Sequence, residues 1–148
     1  MANGVSYFDE THEAFRASAR AFIAREILPH LDEWEDAEIF PRELYKKAAE
    51  AGFIGLGESE EYGGTPCDAF HKIALTEEFC RPGSIGLVAG LFIHVIAIPP
   101  ILALGTEEQK RSLLPRMARG EIVTAIAMTE PGTGSDLQGI RTTAVRRG

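Results

Sequence analysis

The stretch Ala125-Ile-Ala-Met-Thr-Glu-Pro-Gly-Thr-Gly-Ser-Asp-Leu-Gln-Gly139 constrains this chain more than any other. A β-type apolar run empties there into a loop of glycines, a proline, hydroxyls and carboxylates. Backbone that permissive, directly after an expected buried strand, suits cradling a ligand better than filling a core. The loop ends nine residues before Gly148, too few for another full domain. The chain therefore reads as the front part of something larger.

A length of 148 residues allows one ordinary domain plus a fragment of a second. A hydrophobic share of 45% and a charged share of 25% fit a soluble globular protein. The net charge of -7, with lysines and arginines scattered, argues against a nucleic-acid surface. Cys67 and Cys80 form neither a metal-type pair nor a disulfide framework, so both are expected reduced and non-catalytic in a cytoplasmic protein. The opening Met1 to Glu10 has no basic start and no apolar run, so no secretory signal is read. Ile85 to Leu104 is apolar over a bilayer's length, but Gly86, Gly90, His94 and Pro99-Pro100 interrupt it. A helix buried in a soluble bundle, not a membrane span, is expected.

Helical spacing of Phe15, Ala19, Phe22, Ile23 and Ile27 predicts an amphipathic helix from Asp9 to Leu28, ended by Pro29. Trp34 then sits in an acidic connector, Leu31 to Ile39. Pro41 opens a second helix with Leu44, Ala48 and Ala51 inward, and Gly52 stops it. Phe53 to Gly57 is an apolar crossing, followed by the turn-rich Glu60 to Pro66. Asp68 to Cys80 is a further helix with Phe70, Ile73, Ala74 and Glu77 on one side. Glu77 either has a buried partner, or faces a cavity, or merely edges that stripe.

The apolar helix from Ile85 is expected to kink at Pro99-Pro100 and end at Gly105. Thr106 and Gln109 read as a capping box opening a helix to Arg119, stopped by Gly120. Beyond Glu121 the pattern changes: Ile122 to Met128 is a β-branched strand and Arg141 to Arg146 a second. The fold is therefore expected to be mainly α: a bundle of about six helices over 1–121, then the first strands of an incomplete β domain over 122–148. Two or three strands cannot close a β domain, so open edges and apolar surface are expected to drive self-association.

The glycine loop fails two familiar phosphate-binding forms. A P-loop requires Gly-Lys-Ser/Thr, and no lysine is present; a GxGxxG fingerprint requires glycine where Leu137 stands. What remains is a strand-loop-strand whose free amides and hydroxyls suit a pyrophosphate or the polar edge of a planar ring. A solvated turn has the same composition.

The run Met128-Thr-Glu-Pro-Gly-Thr-Gly-Ser-Asp136 resembles the flavin-binding signature of the acyl-CoA dehydrogenase family. Glu60-Glu-Tyr-Gly-Gly64 is similar to the family's early loop. Pro100 to Lys110, Leu114-Pro115 and Gly120-Glu121 are similar to its helix leading into the β domain. The longer run Ala125 to Ile140, with Glu33-Trp34-Glu35, is similar to long-chain members.

This resemblance implies FAD-dependent α,β-dehydrogenation of an acyl-CoA thioester to a trans-2-enoyl-CoA. It places Ile126, Ala127, Met128, Thr129, Gly134 and Ser135 against the flavin, with Ser135 also meeting the acyl-CoA. Glu130 belongs to the same signature. The kinked helix would line a slot for the acyl tail through Leu91, Phe92 and Val95, each of which suits plain core packing as well. His94 is read as a satisfied histidine, not a catalyst. The family's base is a glutamate on a C-terminal helical domain, so no catalytic residue is assigned here. The isolated chain is expected to lack turnover and to hold FAD weakly or not at all. Electron-transfer flavoprotein as acceptor and a homo-oligomer, tetrameric in the family, are implied as partners. An acyl-CoA oxidase relative, or a non-catalytic helical binding module of the same ancestry, stays open.

Overall fold

The computed structural model describes residues 7–147, with the side chains of His94 and Val95 outside the described set. Seven α-helices are formed among the described residues. Helix α1, Glu10–Phe22, starts at Asp9, whose carboxylate accepts from the Thr11 and His12 amides at 2.9 and 3.2 Å. His12 reaches back to the Asp9 amide at 3.0 Å, closing a reciprocal cap. The buried face carries His12, Arg16, Ala19 and Phe22, so two polar groups share the stripe with the apolar ones.

Pro29 does not end this segment. The chain widens into a π turn, Ile23–Ile27, passes a 3₁₀ turn, Leu28–His30, and continues as α2, Leu31–Asp36. The amide of Leu28 bonds to the Ile23 carbonyl, five residues back. That wider turn accommodates a proline that has no N–H to give and whose ring crowds the carbonyl four residues earlier. Trp34 thus lies on a helix and packs against the core, not in a connector.

Helix α3, Glu43–Glu50, begins just after Pro41, whose carbonyl accepts from the Leu44 amide at 3.0 Å. Gly52 follows in the left-handed region at φ 78°, as its position at the helix end requires. Leu44, Tyr45 and Ala48 are buried; Ala51 is exposed at the cap, one position past the inward face.

Helix α4, Ala69–Cys80, is capped by Asp68 and buries Ala74, Leu75, Glu78 and Phe79. The inward face is rotated from the one that periodicity suggests, for Ile73 is exposed and the buried carboxylate is Glu78, not Glu77. Three arginines explain the rotation. Arg16, Arg20 and Arg81 all pair with Glu78, while half-exposed Glu77 takes the outer side of Arg16. Glu77 therefore has a partner.

The apolar stretch divides into α5, Ile85–Leu91, and α6, His94–Leu104. The break falls at Phe92-Ile93, where Phe92 leaves helical geometry at φ -104° and ψ 14°. Pro99 and Pro100 lie inside α6. Their rings crowd the carbonyls of residues 95 and 96, and the chain yields one turn before that point. The two pieces hold seven and eleven residues.

Helix α7, Glu107–Ala118, opens with the expected capping box: Gln109 amide to Thr106 Oγ1 at 3.2 Å, Thr106 amide to Gln109 Oε1 at 2.8 Å. The main core gathers α1, α3, α4, α5 and the crossing at Phe53-Ile54. Phe53 is its hub, with Phe15, Phe22 and Phe79 rings at 5.7, 5.2 and 5.6 Å. Ile98, Leu114 and Met117 form a second cluster between α6 and α7.

The expected strands are not formed. Among the described residues no ladder exists, only isolated bridges at Leu56–Thr65 and Glu130–Thr133. Residues 122–128 run without a hydrogen-bonded neighbour strand, and residues 125–129 are exposed. A strand forms only against a neighbouring strand, and among the described residues no strand pairs with this segment.

Candidate functional site

Two features carry the candidate site. The first is a cavity of about 380 Å³ between the Phe53–Leu56 crossing, α4 and the α5–α6 break. Leu91 and Phe92, singled out from the sequence, both line it. Leu91 is fully buried, and Phe92 is fixed edge-on to Phe79 at 4.9 Å between ring centres. The side chain of Val95 lies outside the described residues. The other lining residues Ile54, Leu56, Leu75 and Val88 carry no assignment from the sequence. Its signal was the apolar crossing after Gly52, which had no evident partner in a linear reading.

Two charges rim this apolar space, Glu58 and Lys72. Burial pushes the Glu58 carboxyl above its ordinary value, with the Lys72 ammonium opposing. A second hollow of about 500 Å³, lined by Trp34, Glu35, Glu38, Tyr45 and Val123, is larger but bordered by more charge. An alkyl chain is better matched by the first.

The second feature is the loop after residue 128. The amides and carbonyls of Glu130 and Thr133 bond reciprocally at 3.0 Å, drawing Pro131-Gly132 into a tight turn. The Glu130 carboxylate accepts from the Arg141 and Thr142 amides at 2.9 and 2.8 Å and from the Thr142 hydroxyl. These bonds, the Thr142 hydroxyl foremost, hold its carboxyl below the ordinary value. Glu130 thus ties the loop to the segment that follows it. Asp136 caps the turn Leu137–Gly139, accepting from the Gln138 amide at 3.1 Å. Thr133 is buried against Gly139, where a Cβ would stand 2.7 Å from its Oγ1.

The loop is thus held in shape by its own side chains, while the groups the sequence resemblance assigned to the flavin are not used in those bonds. Among the described residues, no main-chain hydrogen bond engages Ile126, Ala127, Met128 or Thr129. A Cβ at Gly132 or Gly134 would meet nothing within 4 Å. Thr129, Gly134 and Ser135 are exposed. These groups fit the demands of a flavin edge and a pyrophosphate: unsatisfied amides, hydroxyls and backbone open to close approach. None of Ile126 to Ser135 lines the apolar cavity, so the structure does not bring the two features together.

A helical layer with an apolar cavity, followed by a glycine-rich loop, is the arrangement that the resemblance to acyl-CoA dehydrogenases implied. The family model for the acyl-CoA dehydrogenase N-terminal domain matches residues 9–121. The chain belongs to the acyl-CoA dehydrogenase family.

It is 41% identical over 142 residues to the mitochondrial long-chain specific acyl-CoA dehydrogenase of Sus scrofa, covering 95% of this chain and 33% of that protein. The structure of acyl-CoA dehydrogenase from Geobacillus kaustophilus superposes with a TM-score of 0.86 at 42% identity, over 98% of this chain and 38% of that one. Glutaryl-CoA dehydrogenase from Mycobacterium smegmatis, solved in complex with FADH2, gives 0.86 at 28% identity over 95% and 36%. The chain spans about a third of the length of the relative from Sus scrofa.

Proposed function

We propose that this chain supplies the tail-binding helical layer and the flavin loop of an FAD-dependent enzyme that desaturates an aliphatic acyl-CoA to its trans-2-enoyl-CoA. The carrying observation is the apolar cavity of about 380 Å³ whose walls include Leu91 and Phe92. Its size falls within the range of small-molecule sites, and a dry wall favours an alkyl chain. Bound FAD would supply the two-electron oxidant that takes the β hydride. The chain's own residues orient and exclude water: Leu91, Phe92 and Ile54 hold the tail, which fixes where Cα and Cβ lie. The Met128 main chain and Thr129 hydroxyl would meet the flavin's polar edge, Gly134 admits its approach, and Ser135 stands where acyl-CoA enters.

We assign the proton-abstracting base outside residues 1–148, and Glu58 to the cavity rim. In the whole protein, residues 122–128 would pair as the opening strand of a β domain; their β-branched composition supports that reading. Electron-transfer flavoprotein is the proposed acceptor. Exposed Ile85, Ile96 and Leu104 support burial against another part or copy in a homo-oligomer. The reading as a non-catalytic module gains no support, since the relatives compared above are enzymes by name.

Two measurements on the full-length protein test this. Thr129→Val should lower flavin retained through gel filtration, as read by the flavin-to-protein absorbance ratio; unchanged occupancy would count against the loop assignment. Ala89→Phe places a ring in the cavity mouth. It should cut kcat/KM for a long acyl-CoA by about tenfold or more while sparing a four-carbon substrate. Equal losses for both substrates would remove the cavity from tail binding.

A further inference from the structure

We propose that His12, Asp68 and His71 form a zinc-type divalent-cation site at the junction of the N-terminal ends of α1 and α4, separate from the acyl cavity. Asp68 caps α4 and His71 sits three residues on, so both face one side of that helix turn. His12 arrives from α1, 56 residues away in sequence. Its Nε2 lies 3.0 and 3.2 Å from the two Asp68 oxygens, and His71 Nδ1 lies 2.8 Å from Asp68 Oδ1. One ligand atom from each residue lies within 4.8 Å of the other two. Among the described residues no other trio of histidine, cysteine or carboxylate ligands converges this way.

Tetrahedral ligands about 2.0–2.1 Å from zinc stand about 3.3 Å apart. The His12–Asp68 and His71–Asp68 spacings therefore need a few tenths of an ångström of opening, which half-exposed Asp68 must make while keeping its cap bond to the His71 amide. The two imidazole rings, 4.2 Å between centres and tilted by 47°, already present their edges to the same carboxylate.

His12 is built as a ligand is built. It is buried at 4% exposure and held edge-on by Phe8 and Phe70 at 5.9 and 6.0 Å. Its other ring nitrogen, Nδ1, lies 2.8 Å from Asp9 Oδ1. In the structure Nδ1 accepts from the Asp9 amide; a cation at Nε2 would move the ring proton to Nδ1, exchanging that cap bond for one to the Asp9 carboxylate 2.8 Å away. That is the carboxylate–histidine–metal relay, in which the outer carboxylate fixes tautomer and ring direction. Asp68 and Asp9 supply two negative charges, which outweigh the weak positive ends of the two helices. Two imidazoles and one carboxylate suit zinc better than calcium or magnesium.

The test titrates zinc chloride into chelator-stripped full-length protein by calorimetry, alongside His71→Ala and Asp9→Asn. His71→Ala keeps the His12–Asp68 bond and the α4 cap, so folding is preserved. Wild type should take up one equivalent per chain in the micromolar range, with His71→Ala and Asp9→Asn each weaker by about tenfold or more. X-ray absorption of the loaded protein should count two imidazole nitrogens. Absence of saturable uptake, or equal uptake by wild type and His71→Ala, would overturn the assignment.

Discussion

Replacing Glu78 by alanine is expected to cost the full-length protein about 3–5 kcal/mol of folding stability. Glu78 is fully buried, and each of its oxygens is shared. Oε1 accepts from Arg16 at 3.0 Å and Arg20 at 2.8 Å; Oε2 accepts from Arg20 Nε at 2.8 Å and pairs with Arg81 at 2.8 Å. Arg20 and Arg81 are more than half exposed and would turn to water after truncation. Arg16 cannot, since its side chain is 8% exposed and its Nε already lacks an acceptor. The loss is therefore dominated by one buried guanidinium left with Glu77 as its remaining hydrogen-bond partner and Glu13 at 3.6 Å, plus the void where the carboxylate stood.

The same cluster sets a pH dependence. Hydrogen bonds from Arg20, with Arg16 adding, hold the Glu78 carboxyl at about 2, against the opposing effect of burial. A folded-state value below the ordinary 4.5 means that the contribution is complete above 4.5 and is lost as pH falls toward about 2. The stability gap between wild type and Glu78→Ala, from urea midpoints, should be widest near neutrality and narrow steadily below pH 4.5. Glu78→Gln keeps the volume but not the charge, and should fall between the two. A gap that stays small at neutral pH, or does not narrow in acid, would show that the arginines repack without the carboxylate.

Local chemistry was legible in the sequence wherever the partners are near neighbours. The Thr106–Gln109 capping box, the Pro41 start and the Gly52 stop each depend on atoms within a few residues, and each forms as read. Elements whose geometry depends on distant groups were misread. Which side of α4 turns inward is decided by Arg16 and Arg20, 62 and 58 residues away, so periodicity chose Glu77 where the core takes Glu78. Pro29 was read as a stop because a π turn has no composition of its own. Residues 122–128 have strand propensity, but a strand exists only by pairing. At the site, Leu91 and Phe92 were visible as apolar residues near a helix break. Glu58, Lys72 and Leu75 were not, since only the folded crossing at Phe53–Leu56 brings them to the same space.

Gly120→Ala is expected to be the most damaging single methyl in the chain, at about 3–4 kcal/mol, summing left-handed strain and overpacking. Gly120 sits at φ 66°, and a Cβ there would stand 2.5 Å from the Tyr45 carbonyl oxygen and 2.9 Å from the Lys46 nitrogen. Both neighbours are backbone in α3, so neither swings aside as a side chain would. Gly83 provides the matched comparison: φ is 88°, yet nothing lies within 4 Å of its Cβ position. Gly83→Ala should show the left-handed strain alone, about 1–2 kcal/mol.

The difference between the two variants isolates the contact that seats the end of α7 on α3. That contact reaches the site by two routes. Gly120 leads directly into residues 121–129, and Tyr45 donates its hydroxyl to the Gly90 carbonyl at 3.0 Å, on the helix that walls the apolar cavity. Displacing Tyr45 by the ångström or so that a methyl demands should therefore lower flavin occupancy and cut kcat/KM about tenfold or more. Gly83→Ala should leave both readouts near wild type. If the two variants unfold at the same urea concentration, the close approach at Tyr45 contributes nothing, and the path from α7 through Tyr45 to the cavity wall is not a mechanical one.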